Sequence, residues 1–359
     1  MTASNPPPTW RAWIEVDLGA LQANARALAQ GAGAPLLPVV KADGYGLGAL
    51  QTIRALAPLN PWGYAVATVD EAIQLRQGRV TGPILMLSPL LEAEVAGCLS
   101  FDVRPTVGDL AALEAWISAS DAPFHIEIDT GLGRAGFQWH DSEVLGSLRT
   151  RLESARGWEG AWCQYHSADT DSGTARAQWD RLNDAIAAIG RRPKLVHAAN
   201  SAGGLTPGCG GDLARPGIYL YGGSVGGHWP APVVSFRARV VAVRRLRQGD
   251  SVSYGATWTA QRATTIATIA AGYADGIPPG LAGRGQVAIA GRPCPIVGRV
   301  AMDMTMVDVG DLSVTTGETA TFIGGPISLD GQAVAAGTTS YDLLTGIGRR
   351  VLRSYREPV

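Results

Sequence analysis

Short apolar runs punctuate the first two thirds of the chain about every 20 to 40 residues. In order they read LLPVVKA, WGYAVAT, PILMLS, DVRPTV, FHIEID, AWCQYHS, KLVHAAN and GDLARPG. Between most of them lie alanine- and leucine-rich segments of helical character, such as DEAIQLRQG and QWDRLNDAIAAIG. Eight strands between about residue 36 and residue 216, separated by helices, predict a (β/α)8 barrel of the α/β class. A doubly wound sheet shares the alternation, so the count of eight decides between the two.

The texture changes after PGIYLYGG. From Ser235 the runs SFRARVVAVRRL, ATTIATIAAGY, QVAIAGRPCPIVGRVAMDMTMVDVG and ETATFIGG are β-branched, alternating and broken by glycine and proline. Helical character returns only at TSYDLLTGIGRRVLRSY. A second, mostly β domain follows, with the boundary in GGSVGGHWPAP. The expected organisation is a barrel over residues 13–232 and a β domain over 233–359. Residues 1–12 are then either a disordered lead or part of the C-terminal domain.

Composition narrows the function classes. The chain has 359 residues, 46% of them hydrophobic, which is enough for a large buried core. Its 30 basic and 31 acidic residues leave a net charge of -1 with no long basic run, which argues against nucleic acid as a partner. No apolar stretch reaches the roughly 18 residues that a membrane span requires. The opening MTASNPPPTWRAW lacks a signal peptide's apolar core. Cys98, Cys163, Cys209 and Cys294 are scattered, without CxxC or metal spacing, and read as packed thiols in a reducing cytoplasm.

Two glycine patterns invite nucleotide readings, and both fail on context. GLGRAG (131–136) matches G-x-G-x-x-G, but FQWHDSE follows where the fingerprint needs its glycines to open a helix directly. VVKADGYGLGA (39–49) has no GK[ST] to make a phosphate loop. On the barrel reading, Lys41, Arg134, His166, Ser201 and Arg215 all fall at carboxyl ends of strands, the face where barrel enzymes place their active sites. Together they offer an amine, two fixed cations, an imidazole and a hydroxyl, which suits an anionic, carbonyl-bearing ligand. Apolar LLPVV before Lys41 should desolvate its ammonium and lower its pKa, as a Schiff-base lysine requires. RPGIYLYGG supplies backbone N–H groups where barrels commonly bind phosphate, and pyridoxal phosphate would use both features.

These residues carry a resemblance. VVKADGYGLG, DTGLGRAGF, RPGIYLYG, VSYGATW, GYADG and GRVAMDM occur in the order of the signatures of alanine racemase, a fold-type III pyridoxal-phosphate enzyme, and the chain resembles that family over nearly its whole length. The resemblance implies interconversion of L- and D-alanine by a homodimer whose subunits share active sites, supplying D-alanine for peptidoglycan. Lys41 would carry the cofactor and serve as base on one face of Cα, with Tyr254 of the partner subunit on the other. Arg215 would face the pyridine nitrogen, and His166 would bridge Tyr254 and Arg215. Arg134 would bond the cofactor's phenolic oxygen near the substrate carboxylate. Tyr45, Ser201, Gly217 and Ile218 would hold the phosphate. Met302 and Asp303 would border the substrate, and Tyr273 would stand at the entrance. No metal is implied.

Besides tolerable exchanges at Leu47, where a histidine is common, and Ala301, where a cysteine is common, two sites depart from the family pattern. Where relatives often carry a carbamylated lysine that orients the arginine, this chain has Glu127. Strand parity groups His125, Glu127 and Asp129 on one face, so Glu127 is expected to point into the barrel toward Arg134 as a built-in carboxylate. Gly348 and Arg349 stand where some members have a phosphate-binding tyrosine, and no phosphate role is assigned there. A broader small amino-acid racemase, an amino-acid decarboxylase and a non-catalytic carrier of the same cofactor are the alternatives. Arg215 speaks against the decarboxylase, and the second domain with Tyr254 speaks against the carrier.

Overall fold

In the computed structural model, which describes residues 9–358, the chain divides into two units. One is Leu21–Leu220 with Ser224–Pro230, and the other is the remainder. The expected lead at residues 1–8 lies outside the described residues.

Strand β1 (Ala12–Asp17) opens the described chain and belongs to the second unit. In the first unit, β2 (Tyr64–Val66), β3 (Ile84–Pro89), β4 (Arg104–Val107) and β5 (Phe124–Asp129) lie side by side, all parallel. The short β6 (Phe137–Gln138) pairs with the end of β5, and β7 (Trp158–Trp162) and β8 (Leu195–His197) continue the sheet. The first and eighth apolar runs close the ring without forming regular strands. Val40 N donates to Ala65 O at 2.8 Å, Leu37 N to Ala214 O at 2.7 Å and Val39 N to Pro216 O at 2.8 Å. Asp212 N and Arg215 N reach Val196 O and Ala199 O at 2.7 and 2.8 Å. Pro35, Pro38 and Pro216 lack the N–H that a continuous ladder needs, which is why these two staves read as bridges. Helices between the strands start where the sequence supplies an acceptor. Thr68, Asp109, Asp141 and Asp171 each cap the N-terminus of the helix that follows.

Alternation along β5 sends Phe124, Ile126 and Ile128 to one face and His125 and Glu127 to the other, all five buried. Barrel interiors are usually filled by branched aliphatic side chains. Here Thr106, His125, Glu127, His197 and Arg215 are buried as well. Burying them is unfavourable unless each finds a partner, so this unit needs a hydrogen-bonded interior.

The second unit is built on β9 (Val234–Leu246), whose Val234, Phe236, Ala238 and Val240 are buried at alternate positions. The short pair β10 (Ser251–Val252) and β11 (Trp258–Thr259) stands apart, and β12 (Thr264–Ile269) pairs with β9. β13 (Gln286–Ile289), β14 (Arg292–Pro295), β15 (Thr305–Asp308), β16 (Thr319–Ile323) and β17 (Leu352–Arg356) complete the unit. The main sheet runs β14-β13-β16-β9-β1-β17.

Two expectations need correction. The barrel was expected to begin at residue 13, but Ala12–Asp17 pairs antiparallel with β9 and parallel with β17. Its alternating WIEVD pattern suits a sheet with one covered face better than a barrel stave buried on both. The tail TSYDLLTGIGRRVLRSY was read as helical. The helix covers Ser340–Thr345 only, and Leu352–Arg356 is strand. Gly346 caps the helix, and a Cβ at Gly348 would lie 2.4 Å from Ala274 O, so the chain passes there only as glycine.

The seam between the seventh and eighth staves depends on Gly211, where φ is +113° and a Cβ would sit 2.4 Å from Val196 O. Gly211→Ala should lower unfolding free energy by roughly 1–3 kcal/mol through overpacking and backbone strain. Urea unfolding with an unchanged midpoint would show that the seam tolerates a side chain.

Candidate active site

Lys41 follows the first stave and opens a turn of unusual hand. Ala42, Asp43, Gly44 and Tyr45 have φ values of 52°, 52°, 62° and 56°, four consecutive residues in the left-handed region. Each L-residue there costs roughly 1–2 kcal/mol, so the turn must be held from outside. Glu71 grips it, accepting from Ala42 N at 2.6 Å and from Ala67 N at 2.7 Å. Asp43 accepts from Ala49 N at 2.9 Å, and Gly44 N donates back to Val40 O at 2.8 Å. Lys41 is half-buried in consequence, and its ammonium makes no hydrogen bond or ion pair among the described residues. Burial lowers its pKa, the Arg134 charge lowers it further, and Glu71 opposes both.

The same turn delivers Tyr45 to the residues expected around a phosphate. A Cβ on Gly217 would lie 2.2 Å from the Tyr45 hydroxyl, so only glycine lets the phenol approach this backbone. Gly217 N donates to Ser201 Oγ at 2.9 Å, and Ile218 is buried beside it. Tyr45, Ser201 and Gly217 thus form one cluster of hydroxyls and backbone N–H, a suitable chemistry for an anion.

Glu127 points into the barrel, as parity requires. Its Oε1 accepts from Arg134 Nη2 at 3.4 Å, and its Oε2 is buried with no partner. Desolvation pushes its carboxyl up to about 7, against the lowering effect of Arg134 and Arg215. The loop bearing Arg134 is shaped by Asp129, whose Oδ1 accepts from the N–H groups of Gly131, Leu132 and Gly133 at 2.9, 2.9 and 3.1 Å. The GLGRAG glycines therefore wrap a carboxylate of their own chain, which is why the dinucleotide reading fails.

Arg215 is buried deeply. Nη1 donates to His197 Nδ1 at 2.7 Å and to His197 O at 2.9 Å. Nη2 faces Cys163 O at 2.8 Å, Ala198 O at 3.2 Å and Gln164 Oε1 at 3.3 Å. The Nη hydrogens are committed, and Nε–H has no protein acceptor among the described residues. Desolvation pulls the guanidinium down to about 10, which leaves it charged near neutrality. The expected bridge from His166 to Arg215 is corrected here. The exposed His166 ring bonds Ser167 Oγ at 2.7 Å, and Arg215 takes His197 instead. His166 stands on a loop beyond β7, whereas His197 ends β8 with its ring inside.

In the second unit, Tyr254 is 73% exposed on a turn in which Ser253 and Gly255 have positive φ. Ser253 Oγ bonds Arg299 O at 2.7 Å, tying that turn to the segment leading into Met302. Tyr273 N and Ala274 N donate to Ala301 O and Met302 O, both at 3.0 Å. Asp303 is bonded by Arg350 at 2.6 Å, and Arg350 also grips buried Asp275 in bidentate fashion at 2.6 and 2.9 Å. Tyr254, Tyr273, Met302 and Asp303 are therefore carried on joined loops. Sequence reading missed Arg350, Asp275 and His197. For His197 the signal was present, since it is the penultimate polar residue of KLVHAAN and close in chain to Arg215.

The chain matches the family models for the alanine racemase N-terminal domain over residues 16–225 and the alanine racemase C-terminal domain over 233–355. It is 38% identical over 364 residues to the alanine racemase of Symbiobacterium thermophilum, covering 96% of each chain. Among solved structures it is similar to alanine racemase from D-cycloserine producing Streptomyces lavendulae, with TM-score 0.90, 32% identity and 99% of each chain covered. It is also similar to that of Bartonella henselae, described with covalently bound pyridoxal phosphate, at TM-score 0.89 and 29% identity over 96% of this chain and 99% of that one.

Burial favours the protonated form of Glu127 in the folded chain. Its contribution is therefore most favourable below the ordinary value of 4.5, and stability declines as pH rises to about 7. The displacement corresponds to a decline on the order of 3 kcal/mol. Glu127→Gln should remove this slope, so the variant gains in thermal midpoint relative to wild type between about pH 5 and pH 8. Parallel midpoint curves for the two proteins would contradict the assignment.

Proposed function

This chain belongs to the alanine racemase family and interconverts L- and D-alanine; we propose that it does so with pyridoxal 5'-phosphate and two bases, Lys41 and Tyr254 of the partner subunit. The observation that carries the reading is the half-buried Lys41 amine, without a hydrogen bond among the described residues, on the turn whose Tyr45 hydroxyl lies against the backbone of Gly217. The donor set fits the cofactor. Lys41 is the amine that would hold its aldehyde, and Tyr45, Ser201, Gly217 and Ile218 would hold its phosphate. Arg215 Nε–H would meet the ring nitrogen, and Arg134 the phenolic oxygen. When bound, the cofactor supplies an electron-withdrawing ring that stabilises negative charge at Cα.

The chain's own groups account for the direction of the chemistry. Racemisation removes the Cα proton from one face and returns one to the other, so it needs two groups of tunable pKa. Lys41 has its pKa lowered by burial and by the Arg134 charge, against the opposing Glu71, and so loses its proton more easily. Arg215 only donates and stays charged, so it cannot deliver a proton that would strengthen the ring as an electron sink. That restraint favours return of the proton to Cα. Glu127 orients Arg134, which would meet the substrate carboxylate, with Met302 and Asp303 bordering the substrate and Tyr273 at the entrance.

Exposure of Tyr254, Tyr273, Met302 and Met304 on joined loops of the second unit supports a homodimer that completes each site with the partner's loops. No helix among the described residues is long and apolar enough to cross a membrane. Cys98, Cys163, Cys209 and Cys294 are buried free thiols, which favours a reducing cytoplasm, where the D-alanine formed would be available for peptidoglycan.

Borohydride reduction of the yellow holoenzyme should fix the cofactor to Lys41 in a peptide map, and L-alanine should yield D-alanine. Colour without racemisation would leave a carrier, and carbon dioxide release would point to a decarboxylase. Tyr254→Phe should lower kcat by roughly 100-fold or more, and more in one direction than in the other. Equal losses in both directions would remove the two-base assignment. Glu127→Gln should weaken activity with little loss of folding, and unchanged kinetics would leave Glu127 without a role in orienting Arg134.

A further inference from the structure

A line of buried polar groups runs down the barrel from Arg215 to the opposite end of the strands. His197 Nε2 meets His125 Nδ1 at 2.9 Å, and His125 Nε2 meets Glu159 Oε2 at 3.4 Å. The same Glu159 oxygen accepts from Arg104 Nε at 2.7 Å. Glu159 and Arg104 lie at the amino ends of β7 and β4, the face of a barrel generally associated with stability. We propose that Glu159, acting through His125 and His197, is a positioning residue that sets the orientation of Arg215.

The direction of every hydrogen in the chain follows from its two ends. A guanidinium can only donate, so His197 Nδ1 must accept and His197 carries its proton on Nε2. That proton points at His125, whose Nδ1 must therefore accept, leaving His125 protonated on Nε2 as well. An ionised carboxylate can only accept, which completes the sequence at Glu159. Both imidazoles are fixed as the same neutral tautomer. Their full burial and the nearby cations disfavour a second proton on either ring.

The surroundings hold the rings in this geometry. A Cβ on Gly160 would lie 2.4 Å from His125 Nδ1, so the neighbouring strand makes room for the imidazole by having no side chain. Trp162 stacks on His197 at a 14° interplanar angle and lies under the Arg215 guanidinium, 4.9 Å from it. Its indole N–H is bonded to Thr106 Oγ1 at 3.2 Å. Trp62 tilts against His125 with ring centroids 5.9 Å apart. Without the terminal acceptor, His125 has no reason to prefer Nε2–H. With its proton on Nδ1 it would set N–H against N–H at His197, and the same conflict would pass to the Arg215 donor. A carboxylate remote from the reacting atoms thereby decides whether the Arg215 fork is seated.

The proposal rests on the reading that Arg215 faces the cofactor's ring nitrogen, and the two can be tested apart. The chain has only five histidines, so 15N spectra of the histidine-labelled holoenzyme can resolve their ring nitrogens. His125 and His197 should both be neutral and protonated on Nε2, and a proton on Nδ1 of either would overturn the chain. Glu159→Leu keeps the bulk and removes the acceptor. It should mix the tautomers, change the absorption of the bound cofactor and lower kcat by roughly 10- to 100-fold with KM little changed. Glu159→Gln keeps an acceptor oxygen and should recover most of that loss, which a purely structural defect would not predict. Wild-type absorption and kcat in Glu159→Leu would sink the proposal. If that variant does not fold, the wild-type tautomers still decide. Unchanged cofactor absorption in Arg215→Gln would instead remove the reading of Arg215, whatever the tautomers show.

Discussion

A guanidinium buried at the centre of a barrel sets conditions on everything around it. Arg215 is 3% exposed, and a charge so placed is tolerable only with acceptors on its donors. The carbonyls of Cys163, His197 and Ala198 are available because β7 and β8 stop short and the chain beyond them turns its oxygens inward. The eighth stave is irregular because Pro216 follows the arginine. The glycine at 160, the flat wall of Trp162 and the two neutral imidazoles all serve the same requirement. An aliphatic barrel of the usual kind would have been simpler to pack, but it could not hold this cation.

Charge in the interior is unevenly distributed. Lys41, Arg134 and Arg215 are electrostatically coupled to one another or to Glu127, the inward carboxylate between them. Two carboxylates, Glu127 and Glu71, act on these three cations, and Glu127 is itself short of a partner on Oε2. The excess of positive charge suits a ligand bearing several negative charges. Burial lowers the basicity of both Lys41 and Arg215, and Arg134 adds to the effect on the lysine.

The succession of parallel strands and helices and the inward aim of Glu127 were legible because period-two alternation and strand length are local properties. The position of Ala12–Asp17 was not, because its partners β9 and β17 lie more than 200 residues away in sequence. LRSYR read as helix because nothing within a few residues reveals the strand beside which it lies. His166 attracted attention as the strand-end imidazole, while His197, three residues before Asn200, sits inside the ring. Choosing between them depends on which residue of a short strand is its last inward position, and single-residue boundaries are the least certain part of any reading of pattern. The tautomer chain was invisible for another reason: His125, Glu159 and His197 come from three strands and meet only through barrel registry.

The turn after Lys41 has a consequence of handedness. Its four residues adopt the backbone region that L-amino acids avoid and their mirror images favour. A chain that converts one hand of alanine into the other thus holds, at Ala42, an L-alanine in the posture natural to D-alanine. Glu71 and Asp43 keep it there by force of hydrogen bonds. The loop that sets the Tyr45 hydroxyl against the backbone of Gly217 is one wound the wrong way.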